Sequence, residues 1–405
     1  MKLKKLLALG TAAVLMASSL AACGADTSGG SGSDSQDTAS AQSSGAASTD
    51  GAVQNETGAA GDSEDGGSGS GTGTFKIGYN ILAQGSYALD TLAHNQEFVI
   101  EAFGSEVQAI SDDGQVDKIV QDVENMIASG CDGLIIWLPA DNLYQTVIDI
   151  CTNAQVPFVF SDKLPMDESI KEQLMTNEYF AGAVGPANAE YGSLIAQYAL
   201  DQGYTDCIIS TGTQGDPTDT PRIEAFRETF EAGGGTIEQV VYSDNQDNIP
   251  IYVENALIAY PDVDFVYGTG SDYGIGACTA IENQGLDAKV LTSGLDSGAL
   301  ERLAAGGPLE FVNGDFWVSG TLSTVLLMNY LNGNPIKDGD GNPVWIDNIM
   351  PFEVSADQYA DFQATFVDGD FYSADEIRAM NGITYDEFMN IVNSYSLEER
   401  LAAHQ

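Results

Sequence analysis

The sequence predicts an α/β protein built as two doubly wound lobes with a ligand cleft between them. From Phe75 onward, short continuous apolar runs alternate with stretches of helical period, the pattern of parallel sheets covered on both faces. The apolar runs number about ten, which suits two sheets better than one. A faint internal echo points the same way. Glu124-Asn125-Met126-Ile127 leads into one apolar run and Glu254-Asn255-Ala256-Leu257 into another, while Asp162 and Asp296 each follow a later one.

The strand-like runs are Phe75–Tyr79, Val107–Ile110, Gly133–Trp137, Val156–Phe160, Ala181–Val184, Cys207–Ser210, Ile237–Tyr242, Phe265–Tyr267, Val290–Thr292 and Phe311–Asn313. Between them, Val116, Ile119, Val120, Val123 and Ile127 fall on one helical face, as do Tyr191, Leu194, Ile195, Tyr198 and Ala199. Ser129-Gly130 and Gln202-Gly203 supply helix stops.

The N-terminus reads as an address. Lys2, Lys4 and Lys5 precede a short apolar stretch from Leu6 to Ala22, the layout of a secretory signal. It ends Leu20-Ala21-Ala22-Cys23-Gly24, which resembles the lipobox of bacterial lipoproteins, in which the cysteine is acylated and becomes the new N-terminus. Residues 24–73 carry Gly, Ser, Thr, Ala, Asp and Gln with Val53 as the one large aliphatic and no aromatic. Such a segment buries too little to offset its ordering entropy and, as a coil, spans roughly 40 Å. The expected organisation is a signal and lipobox over 1–23, a disordered tether over 24–73, a first lobe from 74–184 plus about 316–340, a second lobe from 185–315 plus about 341–365, and a C-terminal helical extension over 366–405.

Composition excludes several partners. Sixty acidic residues against 14 basic ones give a net charge of −46, which repels nucleic-acid backbones and anionic lipid surfaces. Any membrane association is then expected through the lipid anchor only. Two histidines and five cysteines offer no recognisable metal-ligand spacing, so no metal and no cofactor is expected. Cys131, Cys151, Cys207 and Cys278 sit among apolar residues and read as buried thiols.

In open α/β sheets, ligands bind beyond the carboxyl ends of the strands, and two such edges facing each other make a cleft. Gln84, Ser86 and Tyr87 follow the first run; Leu138-Pro139-Ala140-Asp141 the third; Ser161, Asp162 and Lys163 the fourth. A polar loop reaching Arg222 follows Cys207–Ser210. Ser271, Asp272 and Tyr273 follow Phe265–Tyr267, Asp296 follows Val290–Thr292, and Asp315, Phe316 and Trp317 follow Phe311–Asn313. Carboxylates and a guanidinium hydrogen-bond adjacent hydroxyls, and aromatic faces cover the apolar face of a sugar ring. The mixture suits a neutral polyol. Each acidic residue could equally cap the helix that follows it, Arg222 could pair with Glu224, and Trp317, Phe316, Tyr273 and Trp137 could be core.

Across about residues 75–355 the chain resembles periplasmic sugar-binding proteins of the ribose-binding type, the solute receptors of ABC importers. The resemblance is carried by Val116-Asp117-Lys118-Ile119 through Gly133-Leu134-Ile135-Ile136, by Val156-Pro157-Phe158-Val159-Phe160-Ser161-Asp162-Lys163, and by Gly185-Pro186-Ala187-Asn188 with Gly192. It continues in Pro221-Arg222-Ile223-Glu224-Ala225-Phe226-Arg227, in Tyr260-Pro261-Asp262-Val263-Asp264-Phe265-Val266-Tyr267 with Asp272, and in Gly294-Leu295-Asp296. It implies a type I periplasmic binding protein-like fold, no enzymatic activity, a monosaccharide-like ligand, and an ABC permease with its ATPase as partners, the receptor being a monomer. It carries ligand contacts onto Asp162, Arg222, Asp272 and Asp296, a first-loop aromatic onto Tyr87, and a further polar contact onto Asp315; Trp317 is the candidate stacking aromatic. The chain departs from the family where its usual Asp-Arg pair is Asp162-Lys163, its Asn-Asp pair is Ser271-Asp272, and its first-loop Asn-Pro-Phe is Gly85-Ser86-Tyr87. Those departures leave the sugar open, a nucleoside or signalling polyol included.

Competing readings have less behind them. A sugar-sensing lipoprotein feeding a chemoreceptor or sensor kinase would share every feature above. Gly268-Thr269-Gly270-Ser271-Asp272-Tyr273-Gly274 partly mimics a dinucleotide fingerprint, but the third glycine is displaced by one residue, which makes a Rossmann oxidoreductase remote. No Gly-x-Ser-x-Gly elbow accompanies His94 or His404. Asp338-Gly339-Asp340-Gly341-Asn342 lacks the glycine and the glutamate of a calcium loop and reads as a hairpin turn. In the C-terminal extension, Phe388, Ile391, Val392 and Tyr395 suggest a helix packed on a lobe.

Overall fold

The computed structural model describes residues 73–243, 245–354 and 370–404. Cys23 and nearly all of the segments read as signal and tether lie outside them.

Four-residue runs such as Gly133–Ile136, Phe158–Ser161 and Phe265–Gly268 are buried along their whole length, so they have no solvent face and take central places in sheets. The first sheet holds β1 (Lys76–Ile81), β2 (Glu106–Ser111), β3 (Gly133–Ile136), β4 (Phe158–Ser161), β5 (Phe180–Pro186) and β11 (Val344–Ile349), ordered β11-β5-β4-β3-β1-β2 and parallel throughout. The second holds β6 (Asp206–Thr211), β7 (Thr236–Tyr242), β8 (Phe265–Gly268), β9 (Lys289–Ser293), β10 (Leu309–Gly314) and β12 (Phe352–Val354), ordered β12-β10-β9-β8-β6-β7, with β12 antiparallel to β10. The two orders are the same when each sheet is numbered from its own first strand. The echo in the sequence is therefore a repeat of topology.

Each lobe has an aromatic core. In the first, Phe158, Phe160, Phe180 and Tyr144 pack ring to ring at 4.8–6.0 Å. In the second, Phe226, Phe230, Phe265 and Tyr267 do so at 4.7–6.2 Å. Burial of each such side chain stabilises its lobe by about 1.5–3 kcal/mol. The four body cysteines are buried and unpaired, as read from their surroundings.

The chain passes between the lobes three times: after β5, after β10, and between β11 and β12. This corrects one expected boundary. Residues from about 341 were assigned to the second lobe, yet Val344–Ile349 pairs in parallel with β5 in the first sheet. Val344, Ile346 and Ile349 are buried there, so only Phe352–Val354 reaches the second sheet. At the second passage Phe316 and Trp317 adopt left-handed backbone, φ 57° and 59°, which non-glycine residues enter only at a cost. Asn95 on α1 (Tyr87–Ala102) donates to both their carbonyls at 3.0 Å, and holds the turn in place. The 338–342 segment is the expected tight turn: Asp338 Oδ1 accepts from the Asp340 and Asn342 amides, and Lys337 bridges Pro343 in antiparallel fashion.

Past the lobes, three short helices follow, at Ala374–Ala379, Tyr385–Ser394 and Leu397–Ala403. Ser373 with Glu376, and Thr384 with Glu387, form reciprocal capping boxes, and the Ser396 hydroxyl accepts from the Glu399 amide. The helix expected around Phe388 and Val392 is present, with both residues buried. The extension docks on the first lobe: His94 meets Asp370 at 2.8 Å, and Asn329 bonds both the Met380 carbonyl and the Gly382 amide. Phe371 stacks on Phe316 at 5.5 Å and on Phe352 at 6.2 Å, and the Tyr395 hydroxyl donates to the Asp315 carbonyl.

Arg400 ties the extension together. Its side chain is 3% exposed, lies over Tyr372, and donates to the Phe371 carbonyl, Glu376 and Glu399. We predict that Arg400→Ala lowers unfolding free energy by about 1–3 kcal/mol, because the buried Phe371 carbonyl loses its donor and the buried Arg400 side chain its packing on Tyr372, with Arg400→Lys intermediate. Urea denaturation of both variants measures this; a loss below about 0.5 kcal/mol, the scale of an unremarkable surface change, would show the cluster to be dispensable.

Candidate functional site

The carboxyl ends of β1, β3 and β4 face those of β6, β7 and β8 across a cavity of about 530 Å³. Leu82, Gln84, Ser86, Trp137, Pro139, Asp162 and Lys163 line it from the first lobe. From the second come Thr213, Asp216, Asp219 and Arg222, then Ser243, Asn245, Gln246 and Asp247, then Thr269 to Tyr273, with Trp317 at the passage between lobes.

Asp162 stands just past β4 in left-handed backbone, φ 67°, with its amide donating to the Val184 carbonyl. That turn aims the carboxylate inward, where Trp137 Nε1 donates to Oδ2 at 3.1 Å. Burial pushes its pKa up to about 6, opposed chiefly by the neighbouring Lys163 ammonium.

Arg222 lies in the first turns of α6 (Asp219–Ala232), packed against α5 (Asn188–Gln202). The two helices meet closely because residue 192 is glycine: a Cβ there would sit 2.0 Å from the Arg222 carbonyl oxygen. The guanidinium stacks on Tyr191 at 4.4 Å, Nε donates to Asn188 Oδ1 at 2.9 Å, and Nη1 donates to the Thr269 carbonyl at 2.6 Å. Protein groups thus occupy one edge of the fork, and Nη2 bonds no described residue.

The remaining carboxylates divide by depth. Asp219 is buried and accepts from the Gly212 amide; burial, then the neighbouring Asp216, raises its pKa. Asp272 accepts from Ser86 Oγ at 2.6 Å and from Gln246 at 2.8 Å, and burial raises it also. The lobes meet across the cavity at two polar points, Ser86 with Asp272 and Lys163 with Asp216.

Of the residues expected at the site, Asp162, Arg222, Asp272 and Trp317 line the cavity, whereas Tyr87, Asp296 and Asp315 are corrected. Tyr87 is 45% exposed and seats its ring outside the cavity on Gly298, where a Cβ would come within 2.5 Å of it. It is a lobe-to-lobe contact. Asp296 is fully buried and caps α9 (Ser297–Ala305) through the Ala299 amide at 3.0 Å, the capping alternative left open in the sequence. Asp315 turns back to accept from the Trp317 amide and lies near Tyr191; it shapes the passage between lobes. Sequence reasoning missed Asp216 and Asp219. The signal was the Asp216-Pro217-Thr218-Asp219 run opening a helix.

Among the described residues no group of His, Cys, Asp and Glu could hold a metal ion, and no helix is long and apolar enough to cross a membrane.

Burial raises Asp296 to about 7 and Asp162 to about 6. Both sit above the unfolded-chain value near 3.8, so the folded state holds more protons between roughly pH 4 and 7. Stability then falls as pH rises through that window. Melting temperature is expected to be higher at pH 5 than at pH 8. Asp296→Asn keeps a competent cap and removes the cost of burying the charge, so it should flatten the slope and gain about 1–3 kcal/mol at pH 8. Calorimetry across the range checks this; a destabilised Asn variant at pH 8 contradicts it.

Solved structures similar to this chain include an ABC transporter solute-binding protein from Mycobacterium smegmatis with bound glycerol, 20% identical, covering 71% of this chain and 96% of that one at a TM-score of 0.61. Another, from Agrobacterium vitis with α-D-tagatopyranose, is 16% identical over 73% and 99% of the two chains at 0.63. A third, from Bacillus halodurans with myo-inositol, is 18% identical over 72% and 98% at 0.60. At these identities the likeness is one of fold. Among curated proteins none matches. The family model described as periplasmic binding protein domain matches residues 90–335, more than half of the chain, and takes in Asp162, Arg222 and Asp272 with β2 to β10: the chain belongs to the periplasmic binding protein family.

Proposed function

We propose that this protein is the extracytoplasmic receptor of an ABC importer, binding one monosaccharide-like polyol between its lobes and delivering it to a permease and ATPase. The carrying observation is the convergence from both lobes of Asp162, Arg222 and Asp272 with Trp137, Tyr273 and Trp317 on one cavity of about 530 Å³. Carboxylates accept from hydroxyls, the open Nη2 of Arg222 donates, and the indoles offer apolar faces to ring carbons. The similar structures hold glycerol, tagatopyranose and myo-inositol, all neutral polyols, which supports this ligand class. Family membership fits an extracytoplasmic place. We further propose that Cys23 carries the lipid anchor and that the receptor acts as a monomer.

Calorimetry of the purified protein against pentoses, hexoses, inositols and nucleosides tests the function. One should bind with unit stoichiometry and leave the incubation chemically unchanged; turnover, or no binding across the panel, overturns the reading. Arg222→Ala should weaken the best ligand by roughly ten- to a hundredfold, the value of one charge-assisted hydrogen bond. Arg222→Lys should recover part of it. Full affinity in Arg222→Ala would remove this residue from the site.

The anchor has its own test. Cys23→Ala should shift the protein out of the membrane fraction, or leave it uncleaved, without changing ligand affinity. Metabolic labelling with palmitate and fractionation read this directly, and an acylated Cys23→Ala protein would rule the anchor out.

A further inference from the structure

The cleft holds two cations, and the protein has already committed one of them. Lys163, at the end of the first lobe's fourth strand, reaches across the gap to both carboxylate oxygens of Asp216. Both side chains are 8% exposed, so the pair is shielded from water and from salt. Asp216 is itself held in position: its Oδ1 also accepts from the Thr218 and Asp219 amides at 2.8 and 3.1 Å. The other flank of the ammonium lies 4.8 Å from the centre of the Trp137 ring. Lys163 therefore has acceptors and an aromatic face around it that belong to the protein.

The second cation, Arg222, spends Nε and Nη1 on Asn188 and Thr269. Its charge acts on three buried carboxylates, Asp162, Asp219 and Asp315. A ligand carrying a carboxylate or phosphate would have to share Arg222 with all three and would find Lys163 closed to it. A neutral ring needs no net cation. Its hydroxyls donate to the carboxylates and accept from the open Nη2.

Resting on the sugar-site reading, we propose that Asp216 sets the charge selectivity of this cleft: by holding Lys163 across the lobes it withdraws the cation that an acidic sugar requires, and restricts the site to uncharged ones. The same contact joins the lobes, so Asp216 acts both as a latch and as a filter.

Matched pairs separate the two roles. Glucose with glucuronate, galactose with galacturonate, and ribose with ribose 5-phosphate are titrated calorimetrically into the protein and its variants. In the native protein the neutral member of the pair that binds should be favoured at least a hundredfold. Asp216→Asn opens the latch and frees Lys163, so it should weaken the neutral sugar several-fold and narrow the neutral-to-acidic ratio by tenfold or more. Lys163→Met also opens the latch but has no cation to free, so it should weaken the neutral sugar and leave the ratio unchanged or wider. Asp216→Ser, which keeps an acceptor for the Thr218 and Asp219 amides, serves if the Asn variant melts abnormally early. A native protein that binds the acidic partner within tenfold of the neutral one overturns the proposal and leaves the sugar site standing. So does a ratio that moves equally in the Asp216 and Lys163 variants, or in neither. If no member of any pair binds the native protein, the filter as stated falls, and the sugar-site reading falls with it only if the wider panel of pentoses, hexoses, inositols and nucleosides is silent too.

Discussion

Two buried cations among many carboxylates form the constraint around which the cleft is arranged. A carboxylate taken out of water must find donors or keep its proton, and each one lining this cavity does so differently. Asp216 takes Lys163 and two backbone amides. Asp272 takes a hydroxyl and an amide side chain. Asp162 takes an indole N–H and the more distant fields of Lys163 and Arg222. Arg222 in turn is fixed by groups unconnected with any ligand, through Asn188, Thr269 and the Tyr191 ring. Its position is decided by how closely α5 and α6 pack, and that depends on the missing side chain at Gly192. The chemistry at the mouth of the cleft is thus traceable to a helix contact behind it.

The passages between lobes carry the second constraint. A cleft that admits a solute needs connections that bend, yet two residues at the middle passage, Phe316 and Trp317, sit in left-handed backbone. Local hydrogen bonds compensate: Asn95 donates to both carbonyls, and the Asp315 carboxylate accepts from the Trp317 amide. The C-terminal helices add to this from outside. Phe371 and Tyr395 pack against Phe352 beside the third passage, while the same segment is bonded to helices of the first lobe. Phe352 belongs to the second sheet, so rotation of one lobe against the other has to slide rings within this cluster.

Much of the fold was legible. Each expected strand run overlaps an observed strand, because a run buried on both faces has to be continuously apolar and a helix between sheets has to be striped. The edge strand Val344–Ile349 was not legible: its inner and outer residues read VWIDNI, a mixed run after a Gly/Asp turn, and its partner is set only by parallel register with a strand more than 150 residues earlier. The site was legible as a set of strand ends and less so as a set of contacts. Asp162, Asp272 and Asp296 all follow strands, but Asp296 faces its own helix and the others face the cavity. Sequence spacing specifies which end of a sheet a residue occupies, and the rotamer chosen there depends on neighbours brought in by the other lobe. Tyr87 shows the same limit, since its seat on Gly298 exists only when both lobes are in place.

The contacts across the cleft have a direction. Ser86 and Lys163, the first-lobe members, donate; Asp216 and Asp272, the second-lobe members, accept. Asp162 of the first lobe feels Lys163 beside it most and Arg222 of the second lobe after that. Each lobe alone would therefore leave Lys163 without its acceptor and Asp216 without its cation, and meeting supplies them. Bringing like-charged carboxylates into one dry space would oppose closure, and in a chain with a net charge of −46 that opposition is considerable. Interlobe donors offset it at the edges of the cavity. In the middle, Asp162 accepts from the Trp137 indole and Asp219 from the Gly212 amide, with the fields of Lys163 and Arg222 acting on both, and there a ring of hydroxyls would supply further donors. Closure and the proposed binding of a polyol would then draw on the same shortage of hydrogen-bond donors, which a ligand rich in O–H groups and free of negative charge relieves.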